Sequence, residues 1–350
     1  MCLGLCPYLD EMGEHVAFLS DCTAPQGRCY AVCPRTETDL DSLRDSCLPS
    51  VPGDYVLGPH RTVWMARARK ASVRKRGQYG ATVTALALFG LETGRSDGAL
   101  LTGWSSDPAE PFLARPKIAR SAQEILEAAG SKYTACPTLR ILDQALREEA
   151  RKLLVVGRPC QILALRKRMT LEDPAFPKER IALAVGLFCM WSVPYRSFRG
   201  LLEPMLKGKR LKRIDIPKGR LFVVDGEAAV HELPHESIRS LARNACQTCY
   251  DFTAELADLS VGSTEWKEDW NTLIVRSEAG QAFVEAASGE GWIQVKPLPP
   301  DRLRILREAA FSRKKRVLEA LGQLQEKAPY LKLPLAEWEF FKQATLPVSR

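Results

Sequence analysis

The chemistry open to this 350-residue chain is set by its eleven cysteines: Cys2, Cys6, Cys22, Cys29, Cys33, Cys47, Cys136, Cys160, Cys189, Cys246 and Cys249. An odd count, with no basic segment leading an apolar one at the start, predicts reduced thiols in a cytoplasmic chain. A disulfide framework is excluded on the same grounds, and clustered reduced thiols point to metal. The pair in Ala245-Cys-Gln-Thr-Cys249 can bind one ion or two corners of one cluster, and a closed site needs two more ligands. Cys160 comes just after a strand candidate at 153–156, and Cys189 ends an apolar strand candidate at 181–188. If those strands run parallel, both sulfurs reach the carboxyl edge of one sheet, where α/β folds place ligands. Cys160, Cys189, Cys246 and Cys249 would then make a four-thiolate site. Taken singly, the same residues also fit a structural zinc, a redox pair or small buried hydrophobes.

Six cysteines fall within residues 1–50. Cys2-x3-Cys6-Pro7 and Cys22-x6-Cys29-x3-Cys33-Pro34 each carry the closing half of a bacterial ferredoxin motif, a cysteine, three residues and Cys-Pro. This predicts a loop-rich, ferredoxin-like arm with Cys6, Cys22, Cys29 and Cys33 as metal ligands, structural zinc being the competitor. The first copy lacks its two leading cysteines. Either the true start lies upstream, or the arm carries one cluster where a complete one would carry two.

The elements that must position these thiols read as α/β from about residue 60, after a Pro- and Gly-broken linker at 51–59. Helices are expected at 81–92, from the capping box Ser121-x-x-Glu124 to Gly130, at 139–150, at 160–168 and at 278–287. Strands are expected at 98–102, 152–156, 181–188, 271–276 and 292–295, with a hairpin over 220–231. A long amphipathic helix at 301–327 carries Leu303, Leu306, Ala310, Val317, Leu321 and Leu324 on its apolar side. The predicted fold is a mixed, largely parallel sheet with helices on both faces, an amino-terminal arm and a carboxy-terminal helical tail. The boundaries are 1–50 for the arm, 51–300 for the α/β domain (halves 51–175 and 176–300) and 301–350 for the tail. The longest uncharged runs, 77–91 and 181–195, have fifteen residues each, short of the ~20 that span a bilayer. A net charge of +8 permits an anionic partner, and no nucleic-acid motif accompanies it. A basic run from Arg61 to Arg76 is either a solvated face or an attractor of phosphates or an acidic subunit. No G-x-G-x-x-G occurs. Gly77–Thr84 is the alternative phosphate loop, where Gly80 permits close approach of a ligand, Ala81 opens a helix, and Thr82 and Thr84 offer hydroxyls. Lys132 is a second candidate anion partner.

These residues together resemble the beta-subunit family of coenzyme F420 hydrogenases and dehydrogenases, from the arm to about residue 285. The resemblance is carried by Gly77-Gln-Tyr-Gly-Ala-Thr-Val-Thr84, Gly130-Ser-Lys-Tyr133, Gly157-Arg-Pro-Cys-Gln161 and Leu187-Phe-Cys189. It rests most of all on Arg243-Asn-Ala-Cys-Gln-Thr-Cys-Tyr-Asp-Phe-Thr-Ala-Glu-Leu-Ala-Asp-Leu-Ser-Val-Gly262 and Trp270-Asn-Thr-Leu-Ile-Val-Arg276. It implies an FAD-containing electron-transfer subunit with Cys160, Cys189, Cys246 and Cys249 on a [4Fe–4S] cluster. It also implies a flavin pocket at Gly80, Ala81, Thr82, Thr84, Ser131, Lys132, Tyr133, Gly157, Gln161, Asp251 and Asp258. The implied partners are a hydrogenase, formate dehydrogenase or heterodisulfide-reductase-like unit and a soluble hydride carrier such as F420. The chain departs from the family pattern at Tyr79-Gly80-Ala81, usually Ser-Gly-Gly, and at Arg158, usually Thr. No catalytic acid, base or nucleophile is assigned, because hydride chemistry belongs to the cofactor. A flavin-free iron–sulfur adaptor and a zinc-stabilised scaffold without redox activity are the rival expectations.

Overall fold

The computed structural model describes the chain except residues 1, 13, 25–26, 148–149, 218, 265–268, 324–329 and 345–350. Its centre is an eight-stranded sheet in the order Ile293–Pro297, Thr62–Ala68, Asn271–Val275, Leu259–Gly262, Ile181–Leu187, Leu153–Gly157, Gly98–Trp104, Ala114–Ala119. Five of the eight share one direction; Ala114–Ala119, Asn271–Val275 and Ile293–Pro297 run against it. Leu153–Gly157 and Asn271–Val275 are buried at every position, as central strands covered on both faces must be. Alternate residues then feed two cores. Leu153 and Val155 face one together with helix Pro159–Thr170, and Leu154 and Val156 face the other with helices Thr82–Glu92 and Glu278–Gly289.

The expected carboxy-terminal helical tail is present and is packed onto the domain. Pro300–Gln323 places Leu306, Ala310, Phe311, Val317, Leu318 and Leu321 in the first core beside sheet residues, and Leu335–Gln343 adds Phe341. Leu324 lies outside the described residues. Several expectations are corrected. The segment 51–59 is not a free linker, since Leu57 is fully buried and its carbonyl accepts from Arg276 and Thr253. The arm contains a hairpin, Leu9–Met12 with His15–Phe18, and helix Leu40–Cys47, capped by Asp39. Leu40 and Leu43 of that helix enter the first core. Residues 138–147 form a 3-10 turn and a short helix rather than one long helix. The hairpin over 220–231 is shifted: its strands are Arg220–Asp225 and Val230–Pro234, because the Asp225 carboxylate accepts from the Glu227 and Ala229 amides and shapes a longer turn. With Leu211–Asp215 and helix Tyr195–Leu206 this hairpin forms a satellite with its own core of Phe198, Leu202, Ile214, Leu221 and Val223.

Candidate functional site

Strands Leu153–Gly157 and Ile181–Leu187 lie side by side with Gly157 opposite Gly186, so the chain leaves both at one level of the carboxyl rim. Helix Pro159–Thr170 starts there with Pro159 at its first position, where a missing N–H costs nothing. Cys160 is its second residue. Cys189 sits just past the neighbouring strand, its amide donating to the Phe252 carbonyl at 3.0 Å. A 3-10 turn at Asn244–Cys246 presents the close pair, and the Ser192 amide donates to Cys246 Sγ at 3.4 Å. Cys160 and Cys249 share the wall of a cavity of about 30 Å³ with Pro34, Arg35 and Tyr330. Burial pushes the Cys189 thiol up to about 12, with Cys160, Cys249 and Cys246 adding to the push and Arg158 opposing it. Burial raises the Cys249 thiol too, against Arg35 and Arg313. The structure thus brings these four sulfurs, from three stretches of chain, into one another's electric field.

Chemically this is a donor set that favours a bound cation. Burial disfavours the thiolate at Cys189 and Cys249, whereas a metal centre takes its cysteines as thiolates and the nearby guanidinium groups would offset the resulting negative charge. Among the described residues no three His, Cys, Asp or Glu side chains converge tightly enough to hold a single metal ion. Thiols are the donor type of both a tetrahedral zinc and an iron–sulfur cluster. Arg158, at the position where the family pattern has Thr, donates weakly to the Thr134 and Cys136 carbonyls at 3.4 and 3.5 Å.

The residues expected around a flavin are mostly committed to the fold. A Cβ on Gly80 would lie 2.7 Å from the Ala66 carbonyl oxygen, so the close approach that needs glycine is to strand Thr62–Ala68, not to a ligand. Tyr79 and Ala81 on either side adopt left-handed φ angles of 51°, which L-residues reach only at a cost. The Thr82 hydroxyl donates to the Ala66 carbonyl and its amide to Asn271 Oδ1, while Thr84 is buried in the same helix. Lys132 Nζ caps helix Ala122–Glu127 through the Ala128, Ala129 and Gly130 carbonyls, a fit to the negative helix end. Desolvation lowers that ammonium to about 7. Gln161 caps its own helix start through Arg158 and donates to Cys136. Asp251 accepts from the Thr253 and Glu255 amides. Asp258 is bound by the Ala184 amide, Ser277 and Arg166, which makes it a fastening between strands and not a free ligand. Gly157 is buried and ends its strand, and Ser131 is exposed. Tyr133 packs against Trp191, two residues past Cys189, with ring centres 6.3 Å apart. Two buried oxygens nearby, Gln78 Oε1 and Thr134 Oγ1, have no hydrogen-bond partner, which suits a polar ligand between the Tyr79 turn and the loop 131–136.

In the arm, burial raises the Cys29 thiol, with Cys6, Cys2 and Cys22 adding to the effect. Cys2, a residue outside the expected ligand set, is among the thiols that act on Cys29. Cys33 is tied toward the sheet: its carbonyl accepts from Lys167 Nζ at 2.8 Å. The motif reading also missed Arg35, Arg313 and Tyr330, which no spacing rule links to the Cys246 loop.

Comparison with known proteins accords with this architecture. Residues 63–143 match the family model for the N-terminal part of the coenzyme F420 hydrogenase/dehydrogenase beta subunit, and residues 150–301 match the model for its C terminus. The coenzyme F420 hydrogenase subunit beta of Methanococcus voltae is 31% identical over 242 residues, 68% of this chain and 85% of that protein. A coenzyme F420-dependent sulfite reductase of Methanocaldococcus jannaschii is 27% identical, and the match covers 89% of this chain and 48% of that protein. Among solved structures, a chain of the F420-reducing [NiFe] hydrogenase complex from Methanosarcina barkeri superposes with a TM-score of 0.71 at 28% identity, over 78% of this chain and 96% of that one.

Proposed function

This chain belongs to the coenzyme F420 hydrogenase/dehydrogenase beta-subunit family, and on that premise we propose that it is the FAD- and [4Fe–4S]-containing electron-transfer subunit of an oxidoreductase complex. It exchanges a hydride with a soluble carrier of the F420 kind and single electrons with a partner subunit, of hydrogenase, formate dehydrogenase or heterodisulfide-reductase-like type. The observation that carries this reading is the meeting of Cys160, Cys189, Cys246 and Cys249 at one rim of the sheet. Bound flavin supplies hydride acceptance with one-electron release, and a thiolate-held cluster supplies single-electron storage.

The chain's own residues do the holding and the shielding. Cys160, Cys189, Cys246 and Cys249 ligate the cluster, and Arg158 offsets its charge. Gln78 and Thr134 offer their unpartnered oxygens to the flavin, beside the ring of Tyr133. The arm, through Cys6, Cys22, Cys29 and Cys33, extends the electron path toward the partner. Among the described residues no helix is long and apolar enough to cross a membrane, and a cytoplasmic setting is part of this proposal.

Iron, sulfide, zinc and FAD per chain, measured on anaerobically purified protein, test it directly. Iron with sulfide and about one FAD is the expected result. Iron without FAD would leave the flavin-free adaptor, and zinc alone would leave the scaffold. Stopped-flow bleaching of the flavin by reduced F420, a nicotinamide or a ferredoxin then identifies the carrier.

A further inference from the structure

The backbone of the Cys246 loop is held from outside the family-matched core. Arg35, in the amino-terminal arm, donates to the Ala245 carbonyl at 2.5 Å and the Thr248 carbonyl at 3.1 Å. Arg313, on helix Pro300–Gln323, donates to the Cys246 carbonyl at 2.5 Å and the Cys249 carbonyl at 2.7 Å. The Tyr330 hydroxyl donates to Thr248 as well, at 2.7 Å, and accepts from Arg35 at 3.0 Å. Four of the five carbonyls from 245 to 249 are thereby taken by three side chains. All three lie outside residues 63–143 and 150–301.

The charges are as informative as the bonds. Arg313 is only 4% exposed. Neither it nor Arg35 has a carboxylate within ion-pair distance among the described residues. Holding a guanidinium out of water with only neutral acceptors is unfavourable unless an anion stands nearby. The acceptors they do have are carbonyls of the loop that carries Cys246 and Cys249, so their charge stands beside any cluster those thiols hold. Some buried cations elsewhere are paired, Arg44 with Glu255 and Glu337 and Arg166 with Asp258, whereas Arg276 and Lys167 are held, like Arg313, by neutral oxygens.

We propose that Arg35, Arg313 and Tyr330 form a clamp, built from the arm and the carboxy-terminal segment, that fixes the Cys246–Cys249 loop and sets the reduction potential of the cluster bound there. The clamp rests on the cluster reading above. Its members are positioning residues: they hold the loop's carbonyls, and Arg35 also reaches the Cys249 side chain. Positive charge at this range favours the reduced, more negative cluster, so the clamp raises the potential and draws electrons from the flavin side.

The test is an EPR-monitored redox titration of the full-length holoprotein, with iron and FAD counted in each sample. Arg35→Gln and Arg313→Gln are each expected to retain iron and to shift the one-electron equilibrium about tenfold toward the oxidised cluster, about 59 mV more negative. Arg35→Lys and Arg313→Lys keep the charge and should stay close to wild type. Tyr330→Phe removes a bond but no charge and should shift the potential less than either glutamine variant. Glutamine variants with full iron and an unmoved potential would overturn the clamp while leaving the cluster reading intact. If a glutamine variant loses its iron, the lysine variant decides: restored iron and potential support the clamp, and an equally empty protein overturns it. A wild-type chain that binds no iron would instead overturn the cluster reading, and the clamp with it.

Discussion

Cys249 carries the sharpest expectation at the scale of single residues. Cys249→Ser should remove about one cluster's iron while far-ultraviolet circular dichroism and the unfolding midpoint stay near those of the cluster-free wild type. Unchanged iron content would place the centre elsewhere. Gly80 separates a structural role from a ligand-binding one. Its missing Cβ makes room for the Ala66 carbonyl, so Gly80→Ala should destabilise the protein by ~1–3 kcal/mol even when no flavin is present. Equal denaturation midpoints for the two flavin-free proteins would return this glycine to the cofactor pocket. The approach of Cys160 and Cys189 at one rim was legible because each follows a strand of the parallel pair. The flavin contacts were less so: Thr82, Lys132 and Asp258 have the right types for a ligand, yet each is satisfied by a carbonyl, an amide or a helix end that is near only in three dimensions.

Between elements, the connection that matters most is a buried group of charges. Arg44 of helix Leu40–Cys47 pairs with Glu255 and Glu337, Lys314 approaches Glu255 at 3.3 Å, and the Tyr250 hydroxyl donates to Glu337 at 2.6 Å. It joins the arm, the segment after the Cys246 loop and both carboxy-terminal helices. Removing one member strands the others away from water, so Glu337→Ala should cost ~3–5 kcal/mol, read as a shift in urea midpoint. A change below about 1 kcal/mol would mean the group is solvated. Burial alone would raise the Glu255 carboxyl, but Arg44 and Lys314 carry it down to about 2 from the ordinary 4.5. Its contribution to stability is therefore complete above about pH 4.5 and lost as the pH falls toward about 2. The stability gap between wild type and Glu255→Gln should accordingly narrow between about pH 6 and about pH 3, and a constant gap would contradict the pairing. Two strands of the central sheet escaped the sequence for local reasons. Thr62–Ala68 sits inside the basic run, where Arg61 and Arg67 blur the apolar alternation; in the fold Arg61 pairs with Glu278 and Arg67 stacks on Trp270 at 4.5 Å. Ala114–Ala119 contains Pro116, which reads as a break but is tolerated on an edge strand.

For the molecule as a whole, the two-faced sheet and the separate satellite core imply unequal stability. Hydrogen exchange followed by mass spectrometry should find Leu153–Gly157, Leu259–Gly262 and Asn271–Val275 slowest, and the sheet at 211–234 opening earlier as its own unit. Uniform protection would show that the satellite core does not act independently. The α/β class was legible because apolar strands alternate with helical stretches. The seating of arm and carboxy-terminal helices on one face was not, since contacts such as the Thr38 amide with the Tyr330 carbonyl span nearly the whole chain. The excursion that carries the satellite leaves the sheet past Cys189 and returns through Cys246 and Cys249. Its two ends already touch where Arg243 bonds to Ser192 and Ser192 to Cys246. Ligation there would work as a buckle, adding a second fastening where the neck of the excursion is already drawn together and tying the satellite more firmly to the sheet.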